Sequence, residues 1–184
     1  MKRMDRRTVF CVVLAAMLFC AGGAGAQTGN GPVPERPKVL YAAGWEDNSG
    51  GYDIATVWKI DGSTVTPVAL TDGTRDAGVY ALAVSGGSLY AAGYERDSYD
   101  ERVAMVWRID GSRVTPVALT NGTRDAAVFG IVKSGGSLYA AGWDAKGFPT
   151  VWKIDGSRVT SIVLTGGSHL YAVIGILRHS NHER

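Results

Sequence analysis

Cysteine is almost missing from this chain: among 184 residues only Cys11 and Cys20 carry a thiol. Both fall in an N-terminal leader, so the chain without it has no disulfide, no zinc–thiolate centre and no cysteine nucleophile. Histidine is nearly as scarce, with His169, His179 and His182 all close to the C-terminus. None stands at a motif spacing from a recurring Ser or Asp, so no hydrolytic triad is expected. His179 and His182, beside Glu183, read as a polar terminal tail rather than a metal pair. Long apolar runs are few after the first thirty residues, which removes the usual material of buried helices. What is abundant is glycine, 25 residues of it in a chain with 46% hydrophobic content. That combination favours many short strands joined by tight turns around one core.

The leader has its own logic. Lys2, Arg3, Arg6 and Arg7 precede an apolar run at 9–20, and small residues follow. This is the pattern of a signal peptide. Ala24-Gly25-Ala26 offers the small-x-small site that a signal peptidase accepts, which places cleavage between Ala26 and Gln27. The run of about a dozen residues falls short of the roughly 20 that a spanning helix needs, so no membrane span is expected after cleavage. Phe19 stands where a lipobox requires a small residue before Cys20, which argues against lipidation. The expected destination is the periplasm, the cell surface or the medium. Removing four of the 19 basic and one of the 17 acidic residues leaves 15 against 16. The mature chain is then close to neutral and has no basic stripe of the kind nucleic acid requires.

Internal repetition is the strongest signal. Tyr41-Ala42-Ala43-Gly44 returns as Tyr90-Ala91-Ala92-Gly93 and again as Tyr139-Ala140-Ala141-Gly142, a step of 49 residues each time. Residues 59–77 and 108–126 differ at only three positions, the mark of a recent duplication. A trimmed further copy ends with Leu170-Tyr171-Ala172, which aligns with Val79-Tyr80-Ala81. The expected organisation is a signal peptide at 1–26, a linker at 27–38, a repeat domain at 39–176 and a polar tail at 177–184.

One period reads as four strands. Residues 79–85 form an apolar run bounded by Ser85-Gly86-Gly87-Ser88, whose glycines suit a tight hairpin. A second strand at 89–94 carries an Ala-Ala-Gly core, which suggests close approach to neighbouring backbone. A third strand at 103–109 puts Met105, Trp107 and Ile109 on one face and Val106 and Arg108 on the other. Asp110-Gly111 reads as the next hairpin turn. The fourth strand, at 114–119, contains Pro116, which lacks a backbone donor and therefore belongs at a sheet edge.

Four antiparallel strands repeated at this spacing predict an all-β fold of β-propeller-type blades, about three in number, with the proline-bearing strand outermost. The residues that carry this pattern are Leu89-Tyr90-Ala91-Ala92-Gly93, the strand with Trp107, the Asp110-Gly111 turn, Leu119-Thr120-Asn121-Gly122 and Ser134-Gly135-Gly136. In them the chain resembles uncharacterised exported bacterial repeat proteins of the β-propeller class and, more distantly, kelch repeats. Where kelch repeats have a Gly-Gly doublet at the end of the second strand, this chain has Gly93-Tyr94. The resemblance implies a binding scaffold, and fold alone does not name a ligand.

Candidate sites are correspondingly modest. The loop with Asp47, Asn48, Ser49, Gly51 and Asp53 has the oxygen-rich composition that calcium prefers, and Asp97, Ser98, Asp100 and Glu101 match it. The third copy places Lys146 among the would-be ligands, so these read as solvated loops, and no metal or other cofactor is expected. Arg75-Asp76 and Arg124-Asp125 recur between repeats, where an Arg–carboxylate bridge would fasten neighbours. Trp58, Trp107 and Trp152 hold equivalent third-strand positions and read as packing between blades. Trp45, Tyr94 and Trp143 end the second strands, where an aromatic face can meet a sugar ring or a partner's side chain. The expected function is thus a non-enzymatic, exported binding scaffold for a protein or glycan ligand. The alternative is a lectin-like module built on those strand-end aromatics.

The repeats begin and end out of phase. The array opens at Val39 with a second strand, so the first blade is expected to lack an innermost strand, while 169–176 is an innermost strand without a blade. Pairing the two termini would close a ring, and two three-blade chains joined head to tail would make six blades.

Overall fold

The computed structural model describes residues 39–164, together with the backbone of a three-residue strand at Val12–Leu14. The described residues form strands and turns without helix, arranged as three antiparallel four-stranded sheets. The first contains β1 (Val12–Leu14), β2 (Leu40–Asp47), β3 (Asp53–Asp61) and β4 (Thr64–Ala69) in that spatial order. The second contains β5 (Ala77–Ser85), β6 (Ser88–Arg96), β7 (Arg102–Asp110) and β8 (Arg113–Ala118), again in chain order. The third contains β9 (Ala127–Ser134), β10 (Ser137–Trp143), β11 (Pro149–Asp155) and β12 (Arg158–Val163).

Turn chemistry sets the registers. Gly86 and Gly87 both take positive φ (58° and 82°), and they close the β5–β6 hairpin between the paired Ser85 and Ser88. The next hairpin turns one residue later than the sequence suggests. Asp110 pairs with Arg113 and belongs to the ladder, leaving Gly111, at φ 62°, and Ser112 as the two-residue loop. Glycine at the first central position suits the twist of the flanking strands. Asp110 instead accepts a hydrogen bond from Ser88 Oγ at 2.5 Å, tying both hairpin ends of the sheet together. Ser137 and Asp155 repeat that bond in the third sheet.

Pro67 and Pro116 lie opposite Trp58 and Trp107 on β4 and β8, which pair on one side only. The missing proline donor therefore faces away from the ladder.

Two apolar cores lie between consecutive sheets. Trp107, Met105 and Ile109 of β7 pack with Ala43, Ala55 and Val57 of the first sheet. One step along, Trp152 and Ile154 of β11 pack with Ala92, Ala104 and Val106 of the second. Trp107 is fully buried, and Val106, one residue along the strand, serves the other core, so both faces of β7 are buried as their alternation requires. Trp58 differs from its counterparts: it is only partly buried, and its Nε1 donates to Glu46 Oε1 at 3.3 Å. The first sheet has no preceding sheet among the described residues for it to pack on.

Two expectations need correction. The first sheet does have an innermost strand, because Val12–Leu14 pairs antiparallel with Tyr41, Ala42 and Ala43. An open β2 edge carries unpaired amides and carbonyls, and a short extended segment satisfies them. These three residues fall within the stretch read as leader. The carboxylates between repeats do fasten neighbours, but not through the adjacent arginines, since Arg75 and Arg124 are exposed. Asp76 Oδ1 accepts from the Asp53 amide at 3.0 Å, and Asp125 Oδ1 from the Arg102 amide at 2.8 Å. Their second oxygens face Arg96 Nε at 3.8 Å and Arg102 Nε at 4.0 Å. The strand expected at 169–176, the linker, the polar tail and the three histidines lie outside the described residues.

Candidate functional site

The site begins with two β-bulges. Along β5 and β6, Val79 pairs with Gly93 and Ala81 with Ala92, leaving Tyr80 without an opposite residue. Along β9 and β10, Val128 pairs with Gly142 and Gly130 with Ala141, leaving Phe129 in the same position. A bulge bends the strand and re-aims the extra side chain. It also brings backbones into close approach. A Cβ on Gly93 would lie 1.9 Å from the Gly78 carbonyl oxygen, and one on Gly142 would lie 1.9 Å from that of Ala127. This is the physical content of the Ala-Ala-Gly motif: its glycine is the only residue that fits beside the bulge.

The bulged rings join the strand-end aromatics into one strip. Trp45 meets Tyr80 edge-on with ring centroids 6.3 Å apart. Tyr80 stacks on Tyr94 at 5.7 Å and on Phe129 at 5.1 Å, with interplanar angles of 29° and 26°. Phe129 then meets Trp143 at 5.1 Å in a tilted, edge-type contact. The strip thus crosses all three sheets, and each of its five rings is partly exposed. Gly78 forms part of its floor, since a Cβ there would touch the rings of Tyr94 at 3.1 Å and Trp45 at 3.3 Å. Trp45, Tyr94 and Trp143 were legible as candidates. Tyr80 and Phe129, which connect them, were not singled out, although an aromatic recurs there one period apart.

Electrostatics around the strip keep it uncharged along its length and charged along one border. Burial pushes the Tyr94 phenol up to about 12 and raises that of Tyr80, so both stay neutral. Arg102 lies with Cζ 5.3 Å from the Tyr94 ring centroid, a cation–π geometry. Its Nε is buried and makes no hydrogen bond, so the ring and Asp125 are its compensation. Asp53 is pushed up to about 6, by burial first, then by its hydrogen bond with Asp47 and the charge of Asp76.

The oxygen-rich loops have another occupation. Asn48 Oδ1 accepts from the amides of Gly50 and Tyr52, and its Nδ2 donates to the Gly73 carbonyl at 2.6 Å. Asp97 Oδ1 accepts from Tyr99 and Glu101, and Asp144 Oδ1 from Lys146 and Phe148, in the same pattern. These are side-chain-capped turns at equivalent positions. Among the described residues, no group of three His, Cys, Asp or Glu side chains is placed to hold a metal ion. No helix of the described residues is long and apolar enough to cross a membrane. The grooves between the second and third sheets, lined by residues such as Tyr90, Arg108 and Leu138 or Asn121, Asp144 and Lys146, include none of the five rings.

No protein-family model matches the chain, and comparison with curated proteins finds no match. What the strip can offer follows from its side chains alone: ring surface, neutral phenols, and a flanking guanidinium.

Proposed function

We propose that the protein is an exported, non-enzymatic binding scaffold of β-propeller-type blades, working in the periplasm, at the cell surface or in the medium. Its ligand-contacting surface is the aromatic strip. The observation that carries this reading is continuity: Trp45, Tyr80, Phe129 and Trp143 touch in turn across three separate sheets, with Tyr94 stacked on Tyr80 beside them. Packing within a sheet does not require such a chain across sheets, whereas Trp and Tyr in contiguous, half-exposed groups are the residues that anchor partners. The internal stacking favours a protein ligand over a sugar. Tyr80 is already stacked on two rings, Tyr94 and Phe129, which compete with a pyranose for its faces.

The test is selection from a displayed random peptide library on the mature protein, with a glycan array run in parallel. Selected peptides are expected to lose about ten-fold or more in affinity on Tyr80→Ser or Trp143→Ala, while Ser112→Ala, in the exposed turn between β7 and β8 at the end of the second sheet away from Tyr94, leaves them unchanged. Graded glycan binding abolished by the same substitutions would assign the lectin-like alternative. Peptide and glycan binding both insensitive to the strip would remove this reading.

A further inference from the structure

The two ends of the array present the two halves of a junction that the molecule already builds twice. At each internal junction, a leading face bearing Leu, Ile and Trp packs on a trailing face bearing Ala and Val. Leu89, Ile109 and Trp107 are at most 7% exposed where they do so, as are Leu138, Ile154 and Trp152. The same register on the first sheet reads Leu40, Ile60 and Trp58, all only partly buried, with Val65 beside Ile60 at 56% exposure. The trailing face shows the mirror condition. Val57 and Val106 are each 1% exposed inside junctions, whereas Val151 is only partly buried and Ile162, paired with it, is 47% exposed. The same Leu, Ile, Trp and Val positions are therefore buried inside the chain and only partly covered at its ends. The inner edge of β2 completes the picture: residues 41–43 receive β1 at the positions where residues 90–92 receive β5.

We propose that these end faces meet between copies, so that the mature protein closes head to tail as a ring of two chains and six sheets. A heterologous contact between unlike faces must either close or grow into a filament. Closed propellers hold about four to eight blades, and six is the one multiple of three in that range. Removal of the leader takes β1 away and opens the β2 edge. The segment 169–176 of the other copy then fills it, because it follows β12 as β5 follows β4 and β9 follows β8. The proposal rests on the blade reading of the sheets and not on any ligand, so its test uses none.

Light scattering on the chain beginning at Gln27 is expected to give twice the chain mass at micromolar concentration. Trp58→Arg and Val151→Arg are each expected to give single-chain mass with unchanged far-ultraviolet circular dichroism. Mixed in equal amounts they regain the double mass, since one wild-type junction forms between the intact faces, and Trp58→Phe keeps the dimer. Hydrogen exchange on the unsubstituted mature protein covers the case in which an arginine variant does not fold. The amides of residues 41–43 are expected to be protected at high concentration and exposed on dilution. A single-chain mass at all concentrations, dissociation by one arginine variant only, or protection independent of dilution would overturn the proposal.

Discussion

Tyr80 stacks on Phe129 across the junction of the second and third sheets, with centroids 5.1 Å apart and planes 26° from parallel. Each ring sits at the unopposed position of a bulge. The contact therefore depends on two glycines of the facing strands: Gly93 and Gly142 make room for the bulged backbone.

Gly93→Ala is accordingly expected to destabilise the protein by about 3 kcal/mol or more, because its methyl collides with backbone that cannot swing aside. Gly111→Ala is the control. Its φ of 62° is unfavourable for alanine but the space around it is open, so a loss of about 1–2 kcal/mol is expected. Urea melts of the two variants check the ranking, and equal losses would show that the bulge relaxes.

The strands were legible because their punctuation is local. Glycine pairs, proline at 116 and the Met105-Trp107-Ile109 alternation each act within a few residues, and the sheets follow them. The bulges were not legible, since a run such as Val79-Tyr80-Ala81-Leu82 looks the same whether or not one residue is skipped by the facing strand. That choice is made by the neighbour's glycine, fourteen positions or so away. Asp110 was misplaced for a related reason: Asp-Gly fits a turn, but the Ser88 hydroxyl holds the aspartate in the ladder. The arginines of Arg75-Asp76 and Arg124-Asp125 were misread because both pairs lie in irregular turns before β5 and β9, where adjacency in sequence does not decide which partner a carboxylate meets: Asp76 faces Arg96 and Asp125 faces Arg102.

Trp107→Ala is expected to lose about 3–5 kcal/mol, the range for truncating a fully buried large aromatic. Trp143→Ala, at a strand end and partly exposed, should lose distinctly less. Trp107→Phe is expected to be milder than its lost volume implies, because Trp107 Nε1 is buried without a hydrogen-bond partner and phenylalanine removes that donor. Denaturant melts of the three variants give the order directly.

The exported protein is expected to begin at Gln27, since Ala24-Gly25-Ala26 suits the peptidase and Phe19 obstructs lipidation. Intact-mass measurement of protein recovered from the envelope or medium decides it. A mass that keeps the first 26 residues would leave β1 on the edge of β2, as the structure has it, and would remove the vacancy that the second copy is proposed to fill.

Stability is expected to fall as pH rises through the range from about 4 to 6, and Asp53 is the reason. Its carboxyl is raised from 3.8 to about 6 in the folded chain, chiefly by burial, with Asp47 and Asp76 adding to the shift. Between those two values the unfolded chain has released the proton while the folded chain still holds it, so each upward step in pH favours unfolding. Below the unfolded value both states are protonated and the penalty is absent; above about 6 it is present in full. Because Asp53 is only partly buried, screening by water keeps the effect modest. Asp53→Asn should flatten the decline in melting temperature between pH 4 and 7 and raise stability at neutral pH. The variant keeps the Asp53 backbone amide, and with it the bond to Asp76, so a change in slope without loss of fold isolates the carboxyl. An unchanged slope would place the titration elsewhere.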